Sequence, residues 1–515
     1  MGDAAGDDEQ IAADRIAMRR WVRAVCVLDF DLSTGPVVEM QYPPDALADE
    51  QTTSLCRMAF PDGPTDADAR EGGARPVYCQ RLCRPQSLFV TVLFHQERDS
   101  GHERGAIQKV LAICSHLPLP ELFAPVVRIL GDIYFEHPGR PVLEAAARQW
   151  SQWGDPDFRK AHQLPFLGTV VDLPANCVQD CNGLPMGMFC GYSRWSRDLG
   201  AAVADLWAIW ESVLVGQPVL VIGESPQQVS NAVLAVLSVI GPHLAYHADY
   251  RPYMTISDPD CQHYQTMCSR RTLPPCVLGV TNLLFNEALA DFPNVLRLAK
   301  PNASFSASQS HVMTPDRPFL RALAGAAHAE AMLRAEFSAL TSTFLSAFSR
   351  MFKPVPHLQR VSRSGCSAGG PAEFNPYLDA PRLPADVRDD LIDHLDIDAS
   401  KGRLRLTRRQ ARTLYKHFMA GPNFLPWYTR ARLLAQMELD GRTDAAIIAA
   451  DSNLGSMADG LTLGELNAIL KEIDRRLQCP RSLSRPALLS ALQTHRASMA
   501  QRAASLGSVM YTSGS

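Results

Sequence analysis

A continuous apolar run, PVLVIG at 218–223, lies between two helical patterns, and this unit constrains the fold more than any other stretch. Before it, Val203, Leu206, Trp207, Trp210, Val213 and Leu214 recur on one helical face, and Gly216 closes the pattern. After it, Ser225 is placed to cap a helix that has Pro226 at its first position. Val229, Val233, Val236, Leu237 and Ile240 form the stripe of this helix, and Gly241-Pro242 stop it. A strand that is apolar at every position is buried on both faces, which is the habit of a parallel sheet covered by helices. CVLGVT (276–281), a short helix over 283–290 and VLRL (295–298) continue the alternation. The segment 186–300 therefore reads as an α/β lobe with a largely parallel sheet.

Upstream, residues 1–19 lack patterning and read as a disordered lead-in. WVRAVCVLDFDL (21–32) and PVVEMQYP (36–43), joined by Ser33-Thr34-Gly35, form a hairpin signal. A helix over 46–58, strands over 75–83, 87–96 and 109–115, and a helix over 119–135 complete a first α/β lobe, 20–136. Residues 137–185, rich in Pro and Gly turns such as WGDPDF and CNGLP, read as a loop-rich linker. Residues 301–317 read as a polar connection. Beyond 318 strand signals vanish. Helical patterns at 319–352, 385–397, 406–419, 424–438 and 462–477, the last with a Thr462/Glu465 capping box, define a helical region over 318–480. The stretch 362–371 is a flexible break, 481–515 is a C-terminal segment with a Ser-rich tail from 497, and no internal repeat is found.

Composition argues against several functions without excluding them. The net charge of −4 provides no global field for a polyanion. The apolar runs are too short to span a bilayer, and MGDAAGDDEQ is unlike a signal peptide. It touches a myristoylation pattern, but Gly6 stands where Ser or Thr is needed, so no anchor is expected. Thirteen cysteines scattered through apolar runs suit reduced thiols and a cytoplasmic protein. The pairs Cys79/Cys83 and Cys177/Cys181 lack partners at zinc spacing, so no metal is expected. No P-loop, GxGxxG after a strand, HExxH or GxSxG is present, so no cofactor and no catalytic residue are assigned. His243, His247 and His263 lie near one another without metal spacing. The basic clusters Arg270/Arg271 and KGRLRLTRR (401–409) could meet phosphates, but read first as solvated faces. The chain reads as one that binds rather than reacts.

Six motifs in register resemble the DENN-domain proteins, and within them the DENN-domain-containing protein 6 subfamily. In order they are WVRAVCVLDFDLSTGPVVEMQYP, MAFPDG, LVGQPVLVIGESP, DYRPYMTISDPD, CVLGVTNLLF and GPNFLPWYTRAR, spread over about 20–480. The resemblance implies a longin-like α/β lobe, a central DENN lobe and a helical downstream region. It also implies a guanine-nucleotide exchange factor for a Rab GTPase in its nucleotide-free or GDP form. Such a protein has no active-site chemistry of its own, joins membranes indirectly and works at recycling endosomes. The alternative is a DENN-fold Rab adaptor or effector without exchange activity. The sequence departs from the family at Leu283-Leu284, where a Pro and an aromatic are expected.

Arg251, within DYRPYMTISDPD (249–260), has three readings. Its guanidinium could stack on Tyr250 or Tyr253 or pair with Asp249 or Asp258, fixing a loop. It could instead join Asp249, Tyr250 and Tyr253 in a partner-binding surface. Or it could act as an arginine finger on transferring phosphate. Trp207, Trp210 and Trp427 read mainly as packing residues.

Overall fold

Both faces of the first sheet are covered, which explains why a strand segment such as 24–28 is apolar at every position. The computed structural model describes residues 12–31, 33–62, 75–98, 106–158, 160–175, 194–298, 303–355, 375–384, 391–397, 403–450 and 461–512. Cys177 and Cys181, the break at 362–371 and the start of the lead-in lie outside them. The chain divides into two compact units, one of residues up to 346 together with 397–427, the other of 347–396 together with 428 onward.

The first unit begins with a helix, α1, over residues 12–18. Part of the expected lead-in is thus ordered, because Met18 and Trp21 are fully buried. Strands β1 (Ala24–Asp31), β2 (Gly35–Tyr42), β3 (Val77–Leu82), β4 (Leu88–Arg98) and β5 (Ala106–Ser115) form an antiparallel sheet in the order β2-β1-β5-β4-β3. On β1, Val25 and Val27 face a core with helix α3 (Pro120–Glu136), while Ala24, Cys26 and Leu28 face a second core with helix α2 (Asp49–Met58).

The linker expected at 137–185 is corrected over its described part. Helix α4 (Arg140–Gln152) and the hairpin β6 (His162–Phe166)/β7 (Thr169–Leu173) are built onto the first lobe. Leu143, Ala146, Ala147 and Trp150 make an i, i+3, i+4, i+7 stripe that joins the α3 core, together with Trp153, Phe166 and Val171. The turn residues around this stripe obscured it in the sequence.

Glu121, in the first turn of α3, has an enclosed Oε2 with no hydrogen-bond partner among the described residues. Burial pushes its carboxyl up to about 8 from an ordinary 4.5, against the pull of its own backbone N–H. The folded value lies above the unfolded one. The resulting penalty is therefore absent below the unfolded value, grows as pH rises, and is complete above the folded value. Glu121→Gln is expected to raise stability by about 1–3 kcal/mol at alkaline pH and little in acid. Melting curves across pH check this, and an equal shift at both ends of the range would contradict it.

The second sheet has the order β12-β11-β8-β10-β9, with β8 (Val219–Ile222), β9 (Asp249–Arg251), β10 (Cys276–Val280) and β11 (Asn294–Arg297) parallel. β12 (Ser304–Ala307) runs antiparallel to β11, so the connection expected at 301–317 contributes an edge strand. Around this sheet lie α5 (Leu206–Val215), α6 (Pro226–Ser238) and α7 (Cys261–Ser269). Gly216 ends α5 at φ 76°, and Ser225 caps α6 by accepting from the Gln228 N–H. At Gly279 a Cβ would stand 2.4 Å from the Pro252 carbonyl oxygen and 2.5 Å from Val229 Cγ1, so only glycine lets β10 approach this closely.

Helices α8 (Arg317–Leu323), α9 (Ala329–Ser346) and α10 (Arg408–Ala420) and the start of α11 (Phe424–Ala450) complete the unit. Trp210 donates from Nε1 to Thr341 Oγ1 at 2.9 Å, and Trp207 packs on Phe337. Tyr415 stacks on Phe344 with centroids 4.4 Å apart and donates to its carbonyl at 2.8 Å. Asn423 Nδ2 donates to the Val213 and Leu214 carbonyls at the end of α5. Trp427 is half-buried against Phe418 and Phe424.

The second unit centres on the rest of α11, α12 (Leu463–Leu477) and α13 (Pro486–Thr512). Thr462 and Glu465 form the expected capping box. The expected flexible tail is corrected over its described part. Its residues continue α13, with Met499 fully buried in the core that holds Ile447, Leu466, Ile469 and Leu492. Ala491 is buried and Ala503 partly buried in this core, a use of small residues that a sequence conceals. Buried Asp444 pairs with Arg476, Arg481 and Arg485 at 3.1, 3.0 and 3.3 Å.

Candidate partner-binding face

β3 is an edge strand, and its outward N–H groups need partners once α6 covers them. Side chains of α6 supply two: Cys79 donates to Ser230 Oγ at 2.8 Å, and Val77 donates to Gln227 Oε1 at 3.2 Å. The two α/β lobes are therefore joined along a sealed sheet edge. Ser230→Ala is expected to cost about 1–3 kcal/mol by leaving the buried Cys79 N–H unpaired. Denaturant midpoints measure it, and a variant as stable as the parent would rule the account out.

The continuation of this seam is where the sequence placed its partner-binding residues. Arg251 is 3% exposed and Tyr253 0% exposed. Arg251 Nε reaches Asp249 Oδ2 at 3.3 Å, Nη1 reaches Asp258 Oδ2 at 3.5 Å, and Nη2 pairs with Asp260. Arg81, from β3, bonds Asp249 Oδ1 at 3.0 Å and lies 4.6 Å over the Tyr250 ring. Arg84 bonds Asp260 Oδ1 at 3.1 Å. Three arginines and three aspartates thus compensate one another, two of the arginines coming from the first lobe.

Burial would raise the Asp249 carboxyl, but the Arg251 guanidinium, the Tyr264 hydroxyl and Arg81 hold it below its ordinary value. At Asp258 burial wins over Arg251 and the value is raised. Burial would lower Arg251, yet Asp249 and Asp258 hold it above its ordinary value, so it is charged at every working pH.

Tyr253 enters the first lobe's second core beside Tyr78, centroids 5.4 Å apart. Its hydroxyl accepts from the Asp62 N–H at 2.8 Å and shares a hydrogen bond with Thr281 Oγ1 at 3.2 Å. Asp249, Tyr250, Arg251 and Tyr253 are therefore brought together, but in the seam. Arg251 and Tyr253 are buried there, and the Asp249 carboxylate, the Arg251 guanidinium and the Tyr253 hydroxyl have partners inside the protein. The pairing of Arg251 with Asp249 and Asp258 is the reading the geometry bears out. Asp260 is added to it, and a finger directed at phosphate has no free guanidinium here.

The accessible surface begins one residue beyond the seam. Asp62 accepts from the Ile256 N–H at 2.8 Å and bonds the Asn282 side chain, which brings the ends of β9 and β10 together with the loop after α2. On this rim Leu283 is 77% exposed, Leu284 58% and Ile256 43%. They lie beyond the carboxyl ends of parallel strands, the edge where α/β sheets receive ligands. Three large aliphatic side chains exposed together suit contact with another protein. In the sequence Leu283-Leu284 stands out only as a departure from the family and Ile256 not at all, since exposure is invisible in apolar residues.

Among the described residues no group of His, Cys, Asp and Glu could hold a metal. His243 bonds Ser338 and His263 lies against Tyr264, so the histidines do not converge. No described helix is long and apolar enough to cross a membrane. In the second unit a groove of about 930 Å³ lies among α11, α12 and residues 376–383, lined by charges of both signs, including Arg432, Lys471, Asp440 and Glu472.

Two sheets locked at an edge, with an apolar rim beside the seam, define a two-lobed α/β unit followed by helices. Its curated relatives are DENN-domain proteins. The chain is 27% identical to human DENND6B over 502 residues, covering 84% of this chain and 82% of the relative. It is 28% identical to chicken (Gallus gallus) DENND6A over 553 residues, covering 92% and 90%. It is 24% identical to the Dictyostelium discoideum DENND6 homolog over 572 residues, covering 89% and 77%. No family model matches the chain. The chain is a relative of the DENND6 group over most of its length, as the six motifs indicated.

Proposed function

We propose that this chain is a guanine-nucleotide exchange factor that binds a Rab GTPase and promotes GDP release in endosomal membrane trafficking. Kinship with the DENND6 proteins over most of the chain carries the reading, and the rim of Ile256, Leu283 and Leu284 supplies a surface for it. Such a protein needs no nucleophile. It has to bind the nucleotide-free GTPase more tightly than the GDP-bound form, and by linkage it then weakens GDP binding by the same factor. A thousandfold coupling requires about 4 kcal/mol of differential contact energy. Holding the GTPase's switch segments away from the phosphates provides it. A rigid seam behind the rim suits this task, since a firm surface spends less of its contact energy on its own ordering. The protein acts from the cytoplasm and reaches recycling endosomes through its GTPase.

The test is release of a fluorescent GDP analogue from a panel of purified Rabs with this protein at micromolar concentration. Concentration-dependent acceleration of one or two members is expected. No acceleration across the panel, with binding confined to GTP-loaded Rabs, would make the protein an effector and overturn the proposal.

A further inference from the structure

Between Lys401 and Met437 stand nine of the chain's 50 Lys and Arg and none of its 54 Asp and Glu, in a protein of net charge −4. The fold sorts these residues by face. On α10, Ala411, Leu414, Tyr415 and Phe418 are buried. Arg408, Arg409, Arg412, Lys416 and His417 are exposed. Arg403 and Arg405, just upstream, are tied to Glu336 at 2.5 Å and Asp316 at 2.9 Å. Arg408, Arg409 and Lys416 have no carboxylate partner among the described residues. Past Gly421-Pro422, Leu425 is 50% exposed at the start of α11.

We propose that the outward face of α10, with Leu425, docks onto an anionic bilayer surface. The charge complementarity is local. A one-signed strip several residues long meets a sheet of lipid phosphates and carboxylates without an intervening acid to repel them. The long arginine and lysine stems let the charges reach the headgroups while the helix stays packed on its core. Nucleic acid is the poorer fit, because Tyr415, Phe418 and Phe424 are buried and cannot serve as base-stacking platforms. An acidic peptide would need a groove, and the face is a convex helix surface. Three cations and one leucine give weak, reversible attachment, which needs a second signal to become stable. A membrane-held GTPase would be such a signal, but the contact itself does not depend on exchange activity.

The test is sedimentation of the full chain with phosphatidylcholine vesicles, with and without phosphatidylserine, at low and physiological ionic strength. Binding to the anionic vesicles alone is expected, weakening as salt shortens the screening length. Each cation near such a surface multiplies affinity by about five, so R408E, R409E and K416E combined should reduce binding at least on the order of a hundredfold. The corresponding three-glutamine variant should fall between parent and glutamate variant. Unchanged circular dichroism and melting would show that the exposed substitutions leave the fold intact, and GDP release in solution should stay at the parent's rate. Four outcomes overturn the proposal: no sedimentation at low salt, equal sedimentation with neutral vesicles, undiminished binding by a well-folded glutamate variant, or retention of single-stranded RNA in place of vesicles.

Discussion

Arg251→Met is expected to destabilise the first unit by about 3–5 kcal/mol, the usual cost of removing one member of a buried, paired charge set. The substitution leaves Asp249, Asp258 and Asp260 facing one another, with the Asp258 side chain fully buried. Arg81 reaches Asp249 and Arg84 reaches Asp260, so the remaining guanidiniums are directed at the outer aspartates. For a unit of this size the melting temperature should fall by about 5–10 °C or more. Arg251→Met combined with Asp258→Asn should recover part of the loss, because it removes the carboxylate left uncompensated. A single variant that melts with the parent would show that the cluster is not a stabilising seam, and an additive double variant would show that the two residues do not interact. Lysine should not substitute well, since its single ammonium cannot reach three carboxylates on separate sides.

Leu283→Asp combined with Leu284→Asp is expected to lower the rate of GDP release from the cognate Rab by more than tenfold. Both side chains are largely exposed. The fold should therefore be indifferent, and melting should shift by little, as surface substitutions away from special features do. A contact face is less forgiving, because truncating a central apolar anchor costs about 2 kcal/mol or more and a buried charge adds to it. Ile256→Asp should act in the same direction with a smaller loss. Undiminished exchange by a well-folded Leu283/Leu284 variant would place the GTPase elsewhere on the molecule.

Where the sequence was legible, it was because one residue type served one purpose. PVLVIG could only be a doubly buried strand, Gly216 and Gly241-Pro242 marked real helix ends, and Thr462 with Glu465 gave a true cap. The failures have a common cause as well. Leu143, Ala146, Ala147 and Trp150 are half alanine, and α13 is rich in alanine and serine. A stripe of small residues has weak hydrophobic contrast although it packs closely. β9 was missed because three residues, Asp-Tyr-Arg, show no period at all, and tertiary pairing with β10 rather than propensity makes them a strand. For the site, the sequence drew attention to the right stretch. It could not tell inward from outward: Arg251 and Tyr253 are conspicuous by type, but Leu283 and Leu284 are conspicuous only by exposure.

The route of the chain has a consequence for how this protein can be shortened. The polypeptide leaves the first unit after Ser346, returns for 397–427, and leaves again. The returning stretch carries Tyr415, Phe418 and Asn423, which close over Phe344 and the carboxyl end of α5. A stop codon near 350 would therefore not release a freestanding amino-terminal half. It would withdraw a wedge from that half's own interior, and the remaining chain should be recovered as insoluble material. Gene fragments cut to preserve both α/β lobes have to run at least to Trp427, and any ancestral gain of the helical second unit has to be pictured as an insertion between existing segments, with a further extension at the end.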